Sequence, residues 1–229
     1  MLQGWKNITY VHWPVAAEAV QPQLPPGLLV DTFDDMAWVG LVAFHMEGIR
    51  IPATPPIPYL GTFPETNVRT YVRGPGGVPG VWFDSLDVTR LLPVLVARTT
   101  YRLPYMWSDM SITNSPERVA YHARRRWPGP AKSSKLVVAP QQRIPQGAES
   151  ALERFLTARW GLYTQLGAAL AFAPVQHPPW PLYRAQVVEL EDEFVAAAGY
   201  PASPEEPLVH YSPGVDVRIG LPRRVQLDA

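Results

Sequence analysis

Cysteine is absent from the 229 residues, which excludes disulfides, thiol nucleophiles and cysteine-ligated zinc, and leaves the redox compartment unmarked. Lysine is almost as scarce. Only Lys6, Lys132 and Lys135 occur, so chemistry that needs a buried amine has few places to stand. Charge of either sign is thin at 17% of residues, and 20 basic side chains balance 20 acidic ones, so no net field draws in nucleic acid or an anionic membrane. No apolar run approaches the roughly 18 residues of a membrane-spanning helix. Met1–Tyr10 lacks the charged-then-apolar order of a signal peptide, so a cytoplasmic location is expected. There is no GxSxG elbow, Walker loop or GxGxxG turn. The five histidines, His12, His45, His122, His177 and His210, show no HxH, HxxxH or HExxH spacing, so neither a metal nor another cofactor is expected.

What is abundant is proline, at 27, with 16 glycines, a density that breaks long helices and favours many short strands joined by shaped loops. Hydrophobic content of 47% is ordinary for a globular protein, and the length suits one domain over residues 1–229 with a mainly β fold. Strands are expected over Trp5–Val15 and Met36–Met46, the second apolar on both faces. Ile51–Leu60 carries four prolines and reads as an extended loop able to cover a pocket. A hairpin joins Phe63–Val72 to Val81–Val88, and Thr89–Leu103 has helical spacing. Leu103–Trp107 reads as an aromatic bend, Met110–Thr113 as a strand, and Arg124-Arg125-Arg126 as a solvated edge or loop clamp. Ser150 with Glu153 forms a capping box and starts a helix. The last strands, Leu208–Tyr211 and Val215–Ile219, are expected to flank a turn at Ser212-Pro213-Gly214.

The densest set of chemistry-bearing side chains is FPETNVRTYV, Phe63–Val72. On a strand, Glu65, Asn67, Arg69 and Tyr71 share one face and Thr66, Val68, Thr70 and Val72 the other, with same-face neighbours about 6.6 Å apart. A half-buried strand with a wet polar face fits this pattern as well. A carboxylate, an amide, a guanidinium and a phenol in succession also fit an inward face that grips one small polar ligand. An inward Arg69 would need a carboxylate partner, and Ser85 or Asp87 on the return strand stand nearest.

Several phrases together carry a family resemblance: HWPV at 12–15, LPPGLLVDTFDDMAWVGLVAF at 24–44, FPETNVRTYV, GVWFDSLD at 80–87, Ala97-Arg98, LPY at 103–105, FLTAR at 155–159, HPPWPL at 177–182 and HYSPGVDV at 210–217. In this order they resemble the YqjF-like proteins of unknown function, within the acetoacetate decarboxylase-like superfamily. The resemblance implies a closed, mostly antiparallel β-barrel with a few peripheral helices and an enclosed pocket. In acetoacetate decarboxylase a helix leads to a proline and two lysines, the first of which forms a Schiff base. Leu103-Pro104 resembles that junction, but Tyr105 and Met106 follow. The superfamily's pocket glutamate is matched by Glu65 and its helix arginine by Arg98.

A phenol cannot form an imine. The expected site therefore has Glu65 and Tyr105 handling protons, with Asn67, Arg69, Tyr71 and Arg98 holding an anionic small-molecule ligand. The functions in view are a cofactor-independent lyase or isomerase for an oxo- or hydroxy-acid, a non-catalytic binding or sensing protein for a small organic acid, and an interaction module using loops around Trp107, Trp127 and Trp180.

Overall fold

A computed structural model describes residues 1–90 and 103–226. Thirteen strands among these residues form one sheet. They are β1 (Leu2–Ala16), β2 (Leu29–Val30), β3 (Met36–Arg50), β4 (Phe63–Arg73), β5 (Pro79–Val88), β6 (Tyr105–Asn114) and β7 (Val119–Trp127), followed by β8 (Ser133–Arg143), β9 (Gly161–Leu166), β10 (Ala169–Gln176), β11 (Tyr183–Asp192), β12 (Leu208–Ile219) and β13 (Arg223–Arg224). Their order is β13-β10-β9-β5-β6-β7-β8-β11-β12-β1-β3-β4-β2, with further pairings β10–β12 and β4–β5. The fold is mainly β, as the proline and glycine density implies. Among the described residues three short α-helices accompany it: α1 (Ala17–Val20), α2 (Ala151–Thr157) and α3 (Phe194–Ala197). None of them is long and apolar enough to cross a membrane. The helix expected over Thr89–Leu103 falls mostly outside the described residues, and Arg98 with it.

The pairings are antiparallel except where β5 runs parallel to β6 and β9. The β5–β6 ladder pairs Leu86 with Tyr105 and Val88 with Trp107, so Tyr105 opens a strand where an aromatic bend was expected. At the other end, Ser212-Pro213-Gly214 is not a turn. β12 holds one register against β1 from Leu2↔Arg218 to His12↔Leu208, and that ladder overrides the local turn chemistry. Gly214 adopts φ +114°, and a Cβ there would collide with the Trp5 carbonyl oxygen, so glycine is what lets the strands pass.

Two bulges decide which side chains face which core. In β1 the register to β3 shifts between Lys6 and Thr9, with Asn7 at φ +47°. Tyr121 Oη donates to the Asn7 carbonyl at 2.6 Å, and Tyr211 Oη and Asn114 Nδ2 donate to Asn7 Oδ1, which fix the bulge. As a result Trp5 and Tyr10, of opposite parity, join the same buried cluster. Between β4 and β5 the register shifts at Val68/Arg69, leaving Asp84 as the extra residue, whose carboxylate accepts from Tyr200 Oη at 2.8 Å. Val81 and Phe83 then share a cluster with Leu86 and Val88, while Ser85 and Asp87 turn to the opposite face.

The sheet consequently packs on both sides. One cluster gathers Tyr10, Val42, Phe44, Phe63, Phe83 and Trp180; the other gathers Val11, Val39, Leu41 and Val68 against Tyr121, Leu136 and Phe194. β4 is buried on both faces, from Glu65 to Val72. The capping box forms as expected: Glu153 N donates to Ser150 Oγ at 3.1 Å and Ser150 N to Glu153 Oε2 at 2.6 Å.

Arg125, expected in a solvated run, is buried and clasps Asp87 with two hydrogen bonds, Nε to Oδ1 at 2.9 Å and Nη2 to Oδ2 at 2.7 Å. Its strand alternation points it into the second core while Arg124 and Arg126 face out. Arg125→Ala should therefore cost about 3–5 kcal/mol by stranding a buried carboxylate, whereas Arg124→Ala should cost less than about 0.5 kcal/mol. Urea denaturation of the two variants checks this, and equal costs would refute the assignment.

Candidate functional site

A cavity of about 310 Å³ opens beside the polar face of β4. Glu65, Asn67 and Arg69 line it, each nearly inaccessible to solvent from outside. Tyr105 also lines it, placed there because its partner in the ladder, Leu86, lies opposite Asn67. Tyr71 continues the same face but does not reach the cavity; it is fully buried beside Arg69 and receives a hydrogen bond from Arg69 Nη2 at 3.3 Å. The remaining lining comes from Gln3, Trp5, Tyr10, Arg159, His177 and Trp180, among a larger number of apolar side chains.

Arg69 departs from the expected arrangement. Among the described residues no carboxylate pairs with it. Asp87, the expected partner, faces the other core because of the β4–β5 bulge and is held by Arg125 and by Ser108 Oγ at 2.6 Å; Ser85 turns the same way. The Arg69 guanidinium instead lies over the rings of Tyr10 and Tyr71, 5.5 and 5.6 Å from their centroids. Its Nε has no partner. A Cβ at Gly40 would stand 2.9 Å from His12 Cδ2 and 3.6 Å from Arg69 Cγ, so the absence of a side chain there makes room for both.

Behind Arg69, Tyr71 Oη lies 2.6 Å from His12 Nε2. Burial and the nearby Arg69 charge hold the His12 imidazole well below its usual pKa, so it is neutral and shares one hydrogen bond with the Tyr71 hydroxyl. Arg69, Tyr71 and His12 thus form one chain of hydrogen bonds leading away from the cavity. The second lining arginine is different in kind. Arg159 Nη1 meets Asp31 Oδ2 at 2.6 Å, Asp31 Oδ1 also accepts from Arg73 Nε at 2.7 Å, and Arg159 Nε bonds the Phe155 carbonyl at 2.7 Å. Arg159 is committed to Asp31 and the Phe155 carbonyl, whereas Arg69 has no carboxylate among the described residues.

Glu65 accepts from Asn67 Nδ2 at 3.3 Å through Oε1 and has no partner at Oε2. Burial pushes its carboxyl up to about 8, so it holds its proton at neutral pH. Other lining residues also carry a buried atom without a hydrogen bond: Gln3 Oε1, Trp5 Nε1, Tyr10 Oη and Asn67 Oδ1. Buried polar atoms are nearly always paired, and an unpaired one costs on the order of 1–3 kcal/mol, so this many in the residues around one cavity sets it apart from an ordinary core. No lysine lines the cavity: Lys6 pairs with Asp216, Lys132 with Glu193 and Lys135 with Glu189. Among the described residues no three His, Cys, Asp or Glu side chains gather in a metal-binding group.

The sequence pointed to Glu65, Asn67, Arg69 and Tyr105, which the structure brings together at the cavity. It missed Gln3, Trp5, Tyr10 and His12, because the β1 bulge hides their common face from any period-2 reading; Asn7, an αL-tolerant residue within the strand, was the available signal. Trp180, expected on an interaction loop, is buried at the cavity wall, and Arg159, the last residue of the FLTAR phrase, lines the cavity as well.

The fold is that of the acetoacetate decarboxylase-like proteins. Acetoacetate decarboxylase from Legionella pneumophila superimposes with a TM-score of 0.65 at 12% identity, over 98% of this chain and 87% of the other. The enduracididine biosynthesis enzyme MppR, complexed with the condensation product of pyruvate and imidazole 4-carboxaldehyde, gives 0.65 at 13% identity, over 100% and 90%. At such identities the likeness is one of fold. The chain belongs to the DUF2071 family, described as an uncharacterised conserved protein, whose model matches residues 2–216. The uncharacterised protein YqjF of Bacillus subtilis (strain 168) is 32% identical over 217 residues, covering 95% of this chain and 89% of the relative.

The raised Glu65 pKa links stability to pH. Unfolded glutamate titrates near 4.3, while folded Glu65 keeps its proton up to about 8. Between those values the folded state binds the extra proton, so this group makes stability fall as pH rises through the window, and the loss levels off above it. Glu65→Gln removes that component and should gain on the wild type from about pH 4.5 to 8, ending on the order of a few kcal/mol more stable. Parallel pH profiles for the two proteins, measured by urea denaturation, would show that Glu65 is not protonated in the fold.

Proposed function

We propose that this chain binds a small organic acid in the cavity and moves a proton on it without a cofactor, as a lyase or isomerase of an oxo- or hydroxy-acid. The observation that carries the reading is Arg69: a buried guanidinium with a free Nε, no carboxylate partner among the described residues, and a place on the cavity wall. A carboxylate ligand supplies what the protein withholds, a charge-assisted hydrogen bond to an otherwise unpaired cation. Asn67 Oδ1 then faces the ligand's hydroxyl or enol, and Glu65 stands one strand step further on, its ionised fraction near the raised pKa taking a proton from the carbon next to the carbonyl and the resulting acid returning it. Tyr105 supplies a phenol at the position where the resemblance to acetoacetate decarboxylase places the Schiff-base lysine, so carbonyl activation rests on hydrogen bonding and charge. The MppR complex with a pyruvate-derived product supports an oxo-acid as the ligand class. A closed barrel around the cavity is part of this reading, supported by the β4–β5 and β10–β12 pairings, which join strands far apart in the sheet order.

The absence of lysine from the cavity wall also favours a second reading, in which the same acid is bound and sensed without turnover. Arg69→Met separates the pocket from the scaffold. It removes an unpaired buried charge, so the variant should be at least as stable as the wild type while the thermal shift given by 2-oxo acids disappears. Wild type incubated with a binding acid in D2O should incorporate deuterium at the carbon next to the carbonyl, and Glu65→Gln should not, with NMR as the readout. Binding without exchange would establish the sensing reading; an Arg69→Met protein that still binds would overturn both.

A further inference from the structure

The cavity is larger than a small oxo-acid needs, and its surplus is apolar. An apolar protein cavity of about 150 Å³ accommodates benzene. A volume of about 310 Å³ therefore holds about a dozen non-hydrogen atoms, roughly twice what pyruvate has. On β4 itself the polar groups occupy only one stretch of the wall. Along β4 the face runs Arg69, Asn67, Glu65 and then Phe63, at about 6.6 Å per step. At the Phe63 end the wall continues with Met46, its partner in the β3 ladder, then Ile49, and the proline-rich loop supplies Ile57 and Leu60. A carboxylate seated on Arg69 with its oxo or hydroxy group beside Asn67 and Glu65 directs any longer chain toward those side chains.

We infer that the ligand is a 2-oxo or 2-hydroxy acid carrying an apolar tail of about six carbons, the tail lying along β4 and capped by the Ile57–Leu60 loop. This inference rests on the reading of Arg69 as the carboxylate anchor. A pyruvate-sized acid leaves the apolar half of the cavity without contacts, and each methylene added to it replaces water against hydrocarbon. The loop is held over this end by its own contacts: Arg90 stacks on the Tyr59 ring at 3.9 Å and donates to the Tyr59 carbonyl at 3.3 Å. Ile57 is 44% exposed although it lines the cavity, so it sits at the mouth, where a tail would cover it.

Calorimetric titration of the wild-type protein with pyruvate, 2-oxohexanoate, 2-oxononanoate and phenylpyruvate, alongside nonan-2-one as a tail with no carboxylate, tests this. Affinity should rise about fourfold per methylene up to the nonanoate, with phenylpyruvate close behind it and nonan-2-one far weaker. Because Ile57 is at the rim, Ile57→Asn should fold normally and should reduce the gain per methylene to less than about twofold. A series in which pyruvate binds as tightly as 2-oxononanoate would overturn the tail and leave the acid site standing. Tight binding of nonan-2-one with no preference for the acids would overturn the Arg69 anchor, and the inference with it.

Discussion

A guanidinium inside a protein is ordinarily matched by a carboxylate, because the desolvation cost of an isolated charge is many kcal/mol. Among the described residues none matches Arg69, and much of the surrounding structure keeps it so. The bulge opposite Arg69 turns Asp87 to the far core, where Arg125 neutralises it. Asp31, another deeply buried aspartate, is shared between Arg159 and Arg73. Glu65, on Arg69's own face, keeps its proton and brings no charge. What remains for Arg69 is the faces of Tyr10 and Tyr71 and one weak hydrogen bond, partial substitutes for water that leave one nitrogen directed at nothing.

The same strand serves two cores, and this explains why a polar face can be afforded. On the opposite face Thr66 and Thr70 are buried, Val68 packs in the second cluster and Val72 in a third with Leu24, Leu28 and Tyr163, so β4 is anchored from behind independently of what its cavity face does. Residues such as Val68 and Leu41 contribute transfer free energy of about 1.5–3 kcal/mol each, enough in sum to offset several unpaired polar atoms. The His12–Tyr71 pair adds a polar foundation beneath Arg69, with Gly40 leaving the space in which the imidazole meets the sheet.

Legibility in the sequence followed the range of the forces involved. The β4–β5 hairpin, the doubly apolar β3 and the Ser150 capping box were readable because each is set by side chains a few positions apart. The alternation in Phe63–Val72 correctly grouped Glu65, Asn67 and Arg69. What failed was anything depending on a bulge or on ladder register: the inward turn of Tyr10 and Trp5, the outward turn of Asp87, the burial of Arg125 and the straightness of β12 through Pro213 and Gly214. A bulge changes the phase of every later residue, and nothing local in Asp84 announces that it is the extra one. The family resemblance supplied the position of Tyr105, which a search for local motifs would have passed over.

The most direct test of this account is a crystal structure of the protein with a 2-oxo acid bound. The account predicts the acid's carboxylate at about 2.7–3.1 Å from the Arg69 guanidinium, with its oxo group facing Asn67 and Glu65 and no protein carboxylate on Arg69. A structure in which Arg69 is paired with a carboxylate of the chain itself, with the acid lying elsewhere in the cavity, would contradict it.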